Sequence, residues 1–468
     1  MRNTRFSIMT LAVLIAVVFG SGTTYVVLRH AGNTTDAADS KCLAPCFSHP
    51  SRALGLAPNK QAPELPTEAG LASALSSYLD RSELGSLAAT VIDQRTAKVL
   101  WQYRGGALMV PASVSKLVTA TAALATLGPQ YRLATDVVSG KAFDEVVLVG
   151  GGDVTLTKTA EGHYPGAARL DDLAAQVRRA HPQPIHKLVV DSSAYSGPEL
   201  GEGWDSDVVT GGYGVAVTPL ATDGGRVDPA DEHRVERPDL ATGFTLAKLL
   251  APREQVDVQV KNDRPAEMSS TIPGLTGAQL LGEVKSPPVA RLVEVMLSES
   301  DNVIAESLAR QTALARGDSA SFGSAAAAEV QTLHELGINV DGVKLSDGSG
   351  LSRDNRLTAS MLAQLIQLAG TTRFSRLRAI LTGLPVAGFS GTLHDRFRRT
   401  TGTSGTPDVR AKTGSLSQVS SLVGMVTTAD GARLSVAVVA NGFDKTGAQA
   451  AKQTLDRFVA VIANCGCR

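Results

Sequence analysis

The two ends of this chain carry the same pattern, and that pattern limits what it can fold into. Within Ser86 to Tyr103, the runs LAATVID and KVLWQY are strand-like and flank Gln94-Arg95-Thr96-Ala97, a connection suited to a hairpin. Near the other end, SSLVGMVTT and ARLSVAVVAN are joined by Ala429-Asp430-Gly431, a second hairpin signal. A helix is predicted beside each pair: about Glu68 to Asp80 before the first, and about Ala448 to Ala463 after the second. Strands at both ends, each attached to a helix, predict an α+β fold with one antiparallel sheet assembled from the N- and C-terminal segments.

The segment from about Thr155 to Gly282 has a different texture. It mixes short strands (HKLVVDSSAY, EQVDVQVKND) with Gly- and Pro-rich connections and reads as a domain inserted into the main unit. The expected organisation is an N-terminal membrane segment over 1–32, a Pro-containing linker over 33–67, and a catalytic domain split between 68–154 and 283–468. The inserted domain occupies 155–282.

Arg2 and Arg5 precede an uncharged stretch from Phe6 to Leu28, followed by Arg29. At ~1.5 Å per residue this stretch is long enough to cross a bilayer as an uncleaved anchor. The alternative is a signal peptide with an apolar core from Ile8 to Phe19, cut near Gly20-Ser21-Gly22. Either puts the bulk of the chain outside the cytoplasm. The four cysteines fit that compartment: Cys42 and Cys46 follow the apolar stretch, and Cys465 and Cys467 close the chain. Disulfides tying the two ends together are expected, because a bridge across Cys465-Gly466-Cys467 is geometrically strained. With 43% hydrophobic and 19% charged residues the chain is globular, and its net charge of zero argues against nucleic acid as a partner.

Chemistry concentrates in three short motifs. Ser113-Val114-Ser115-Lys116 is the only Ser-x-x-Lys in the chain and opens the apolar run PASVSKLVTATAALATLG, which reads as a helix capped by Gly128. Positions three apart share a helix face, so a hydroxyl and an amine sit side by side, as an activated serine nucleophile requires. The start of a helix also offers backbone N–H groups to a developing negative charge. Ser300-Asp301-Asn302, the only Ser-x-Asn, is predicted to form a turn between two helical runs. Ser300 is a candidate proton relay, and Asn302 a candidate for hydrogen-bonding the substrate backbone. Lys-Thr-Gly occurs twice. Lys445-Thr446-Gly447 precedes a helix and reads as a loop and cap, whereas Lys412-Thr413-Gly414 reads as the start of a strand. There, Lys412 and Thr413 can grip a substrate carboxylate, and Gly414 leaves room for close approach. The N–H of Ser415 is then expected to complete an oxyanion hole with that of Ser113. Taken singly, each motif is also a plausible helix cap or surface turn; the three in this order point to a serine acyl-transfer enzyme that recognises penicillin.

On these residues the chain resembles the class C low-molecular-mass penicillin-binding proteins, the D-alanyl-D-alanine carboxypeptidase/endopeptidase family. The resemblance covers roughly Leu71 to Ile462. It rests on PASVSKLVTATAAL, SESDN and KTGS, and on VGGGDVTL (Val149 to Leu156), DSSAYSGPELGEGWD (Asp191 to Asp205) and DGSGLSRDN (Asp347 to Asn355). It implies a penicillin-binding-protein/serine β-lactamase-like transpeptidase fold with an insertion between the first two motifs. It also implies peptidoglycan stem peptides as substrate, β-lactams as covalent inhibitors, and no metal or organic cofactor. Asp153 and Arg353 fall where the family tends to contact the substrate side chain. One departure is Ser417 at the fifth position after Lys412, where relatives often carry Gln. A serine β-lactamase is the main alternative, but no E-x-x-L-N loop to speed deacylation is found. A catalytically weak wall-binding protein is the other.

Overall fold

The protein was analysed as a computed structural model in which residues 63–261, 278–397 and 408–467 are described. The expected N-terminal membrane segment, most of the linker, Cys42 and Cys46 lie outside the described residues. Among the described residues no helix is long and apolar enough to cross a membrane.

Among the described residues ten strands build two sheets. In chain order they are β1 (Ser86–Asp93), β2 (Val99–Tyr103), β3 (Ala134–Ser139), β4 (Glu145–Gly150), β5 (Lys187–Asp191), β6 (Asp257–Lys261), β7 (Leu280–Lys285), β8 (Val409–Leu416), β9 (Val419–Thr427) and β10 (Arg433–Asn441). The first sheet runs β2-β1-β10-β9-β8, all antiparallel, so the chain ends do share one sheet. Its seam is β1 against β10, with Ser86 opposite Asn441 and Asp93 opposite Leu434.

Both faces of this sheet are covered, which explains why β1 and β10 read as near-continuous apolar runs. Successive side chains of a strand point to opposite faces. Leu87, Ala89 and Val91 meet Leu71, Leu75, Trp101 and Phe458, from the helices Glu68–Leu75 and Ala448–Ala463 and from β2. Ala88 and Ile92 face the opposite way, into a larger helical core that includes Leu117, Leu362 and Ile366.

The second sheet runs β6-β5-β4-β3-β7. β4, β5 and β6 are mutually parallel, while β3 is antiparallel to β4 and to β7. It takes strands from both sides of residue 155, since β3 and β4 pair with β7 and β5 rather than with the first sheet.

At the C-terminus Cys465 and Cys467 lie side by side, while Cys42 and Cys46, the partners expected for them, lie outside the described residues. The chain turns after the Ala448–Ala463 helix and brings the two Cα atoms to 4.9 Å.

Candidate active site

The three motifs come from distant parts of the chain and meet around Lys116. Ser113 lies in a 3₁₀ turn, Ala112–Ser115, and the α-helix begins only at Lys116. The predicted α-helix over the whole motif therefore starts one turn late. Pro111 precedes the turn and Ala112 takes a left-handed φ of 53°, which ordinary helix cannot accommodate. In a 3₁₀ turn residues i and i+3 eclipse, so Ser113 and Lys116 still face each other.

Lys116 is fully buried, and its Nζ donates to three acceptors. These are Ser113 Oγ at 3.1 Å, Asn302 Oδ1 at 2.5 Å and the Ser349 carbonyl at 2.6 Å. Burial pushes its proton affinity down to about 8, against the opposing pull of Asp347, Glu306 and Asp301. An amine so placed can accept a proton from Ser113 near neutral pH.

Ser300-Asp301-Asn302 does form the turn between two helices, Val289–Ser298 and Asn302–Ala315. Asp301 caps the second helix, accepting from the N–H groups of Val303 and Ile304, and its other oxygen takes the Tyr164 hydroxyl at 2.7 Å. Ser300 adopts φ 60°, an unusual conformation for a residue with a side chain. Its Oγ accepts from Lys412 Nζ at 2.9 Å. Asn302 has both ends of its amide engaged: Oδ1 by Lys116, and Nδ2 by the carbonyl of Tyr213 at 2.7 Å.

Lys412, Thr413, Gly414 and Ser415 lie within β8, not at its start. β8 and β9 are separate strands joined by a tight turn at Ser417-Gln418, where Gln418 takes φ 62°. Lys412 is fully buried, and burial together with the Lys116 amine lowers its proton affinity well below that of a free lysine. The Thr413 hydroxyl donates to Thr392 Oγ1 at 2.8 Å. β8 runs hard against the nucleophile turn: a Cβ on Gly414 would lie 2.7 Å from the Pro111 carbonyl and press on Ser421 Oγ. Ser421 in turn donates to that same carbonyl at 2.7 Å. Ser415 is exposed at the end of this edge. Lys445-Thr446-Gly447 forms a 3₁₀ turn ahead of the last helix, as its context predicted.

Asp153 and Arg353 stand apart from this cluster. Asp153 is fully buried; one carboxylate oxygen takes the N–H and hydroxyl of Thr155, and the other has no hydrogen-bond partner. Burial raises its pKa to about 6. Arg353 holds Asp205 through two hydrogen bonds, at 2.8 and 2.7 Å, and reaches the Ser417 carbonyl at 3.0 Å. It therefore links the Asp205 loop to the β8–β9 turn. Among the described residues no hydrogen bond joins either side chain to Ser113, Lys116, Ser300 or Lys412.

Sequence reasoning missed several contacts. The carbonyls of Ser349 and Tyr213 carry no signal, because every residue has one. Thr392 and Glu306 were also missed. Glu306 was findable, since it lies four residues after Asn302 and shares its helix face. Among the described residues no group of three or more His, Cys, Asp or Glu side chains could hold a metal ion.

Residues 71–271 and 235–462 match the D-Ala-D-Ala carboxypeptidase 3 (S13) family. The chain belongs to that family. It is a serine-type D-Ala-D-Ala carboxypeptidase by membership, and its relatives include named carboxypeptidases along nearly the whole length. Carboxypeptidase DacB of Mycolicibacterium smegmatis is 37% identical over 465 residues, 98% of this chain and 96% of its own. The D-alanyl-D-alanine carboxypeptidase of Actinomadura sp. (strain R39) is 26% identical, over 75% of this chain and 77% of its own. The fold matches the crystal structure of penicillin binding protein 4 (dacB) from Haemophilus influenzae, with a TM-score of 0.67 at 21% identity, over 83% of this chain and 97% of that one. The α+β, penicillin-binding-protein-like architecture expected from the resemblance is therefore the observed one.

Proposed function

We propose that the chain hydrolyses the terminal D-Ala-D-Ala bond of peptidoglycan stem peptides, and the cross-links between stems, with Ser113 as nucleophile and Lys116 as its base. One observation carries this reading: a buried lysine of lowered proton affinity lies within hydrogen-bond reach of both the Ser113 hydroxyl and Asn302. Neutral Lys116 takes the Ser113 proton as Oγ attacks the penultimate D-Ala carbonyl. The oxyanion is held by the N–H groups of Ser113 and Ser415. Ser300, bonded to Lys412, relays the proton held by Lys116 to the departing amine; water then attacks the acyl-enzyme, gives its proton to the neutral Lys116, and Ser113 Oγ leaves and takes that proton back. Lys412 and Thr413 hold the substrate carboxylate at the β8 edge, where Gly414 admits the extended peptide. Asn302 exchanges its Tyr213 contact for the substrate backbone, and Asp153 and Arg353 serve the stem side chain. A β-lactam follows the same first step and stays attached to Ser113.

The apolar N-terminal stretch supports an extracytoplasmic enzyme, membrane-anchored or secreted, and the four cysteines suit that oxidising setting. The deciding experiment compares wild type with Ser113→Ala, incubating each with fluorescent penicillin and with D-Ala-D-Ala stem peptides. The variant is expected to fold with an unchanged circular dichroism spectrum, to take no covalent label and to release no D-Ala. Normal labelling of the variant would end the assignment.

A further inference from the structure

Below the Ser113–Lys116 pair lies a buried carboxylate that the mechanism above does not use. Glu306 sits one turn after Asn302 on the same helix and is almost wholly buried. Its two oxygens accept from consecutive backbone amides, Ser349 at 2.8 Å and Gly348 at 3.2 Å. Those amides belong to the Asp347–Gly350 turn, which presents the Ser349 carbonyl to Lys116 Nζ. The turn is gripped from two further sides. Thr119 Oγ1, one turn beyond Lys116, donates to the Gly348 carbonyl at 2.6 Å. Asp347 folds back over its own turn, accepting from Gly350 and Ser352 N–H, from Asn355 Nδ2 and from Trp204 Nε1.

We propose that Glu306 is a positioning residue for catalysis: through the Gly348 and Ser349 amides it aims the Ser349 carbonyl at Lys116, and its buried charge acts on that same lysine. The inference rests on Ser113 and Lys116 being the acylating pair. Four ionisable groups face Glu306. Lys116 comes from the nucleophile helix, Asp347 from the turn and Arg310 from the next turn of Glu306's own helix. Glu329 comes from the Phe322–Glu335 helix. Burial and the Asp347 charge raise Glu306 to about 7, while Arg310 and the two turn amides pull it back. Burial first, and then the charges of Glu306 and Asp347, push Glu329 well above the ordinary glutamate range, against a hydrogen bond from Thr119. When Lys116 works, Glu306 is thus mostly ionised. An ionised Glu306 favours the charged form of Lys116. Its burial keeps that influence from being screened by salt.

The test is the pH dependence of penicillin acylation, measured as the second-order rate on active-site-titrated protein for wild type, Glu306→Gln, Glu306→Asp and Thr119→Val. Wild type is expected to show an acid limb near pH 8, set by Lys116. Glu306→Gln removes the charge and retains the shape; its limb is expected to move down by about one pH unit, with a plateau reduced by about tenfold. Thr119→Val loosens the same turn without altering charge, so its plateau falls while its limb stays. Glu306→Asp keeps the charge on a shorter arm and behaves like Thr119→Val; it carries the test if the glutamine variant does not fold. An unmoved limb in Glu306→Gln overturns the proposal, as does an equal movement in Thr119→Val or Glu306→Asp. Failure of the underlying reading is distinguishable, because Ser113→Ala would then still be labelled.

Discussion

At the residue scale, the groups that make the site chemical are those least at ease in a folded protein. Lys116 and Lys412 are both fully buried, and so is Glu329 on the Phe322–Glu335 helix. An isolated buried charge is costly, so such groups give up their charge instead. Glu329 gives a stability test with a definite sign. Its pKa in the folded state lies well above the free value of 4.5. Between those values the folded protein keeps a proton that the unfolded chain has lost, so its contribution to stability falls as pH rises. Glu329→Gln removes that dependence. Relative to wild type, the variant is expected to gain up to about 1.4 kcal/mol for each pH unit above the free value. Urea unfolding at pH 5 and pH 7 measures it; a difference that is constant, or that shrinks with pH, would refute the assignment. Ser113, Lys116 and Lys412 were legible in the sequence because acyl transfer demands those side-chain types. Glu329 was not, since a glutamate on a helix is most often a solvated one, and Glu306 was marked only by its spacing of four from Asn302.

At the element scale, β8 has two jobs on its two edges. One edge pairs with β9 along its whole length. The other is occupied near its start, where Ala387 N–H donates to the Val409 carbonyl and Ala411 N–H to that of Pro385. Beyond Ala411 a face of β8 lies against the Ser113 turn, and Gly414 leaves room there for the Pro111 carbonyl. Gly414→Ala would force β8 away from the Pro111 carbonyl or break the Ser421 bond that clasps it. Penicillin acylation is expected to fall about 100-fold, because displacement of this order misaligns the oxyanion donors. The hairpin itself should survive, so thermal melting monitored by circular dichroism should move little. A rate within threefold of wild type would mean that the β8 edge does not approach the reacting carbonyl. The sequence marked KTGS as strand but did not reveal that the strand ends at Leu416: SLSQVSSL has no Gly or Pro, and the turn depends on Gln418 tolerating a left-handed backbone.

At the scale of the whole molecule, the pairing of chain ends was the most legible feature and the boundary of the second sheet the least. The hairpins at the two ends advertised themselves through apolar strands and turn residues, and only a common sheet covers them on both faces. β3 and β4 carry equally apolar strands, and nothing local says which sheet receives them; their partners β5 and β7 decide it. The ends also meet beyond the sheet. Thr67 N–H donates to the Cys467 carbonyl at 2.8 Å, and Phe458 packs its ring on Tyr78 and Trp101.

The place of β10 between β1 and β9 has a consequence for how the protein is made. During synthesis β1 leaves the ribosome long before the strand that must lie beside it, and until then only β2 is there to pair with it. Contacts between segments so far apart in sequence form late, because the intervening loop must first be closed. The first sheet thus stays incomplete through most of the chain's synthesis. Reactivity toward penicillin should switch on in one step: among nascent chains arrested at successive lengths, only those long enough to have released β10 are expected to take the label. Labelling of a chain arrested before Arg433 would show that the site assembles without it.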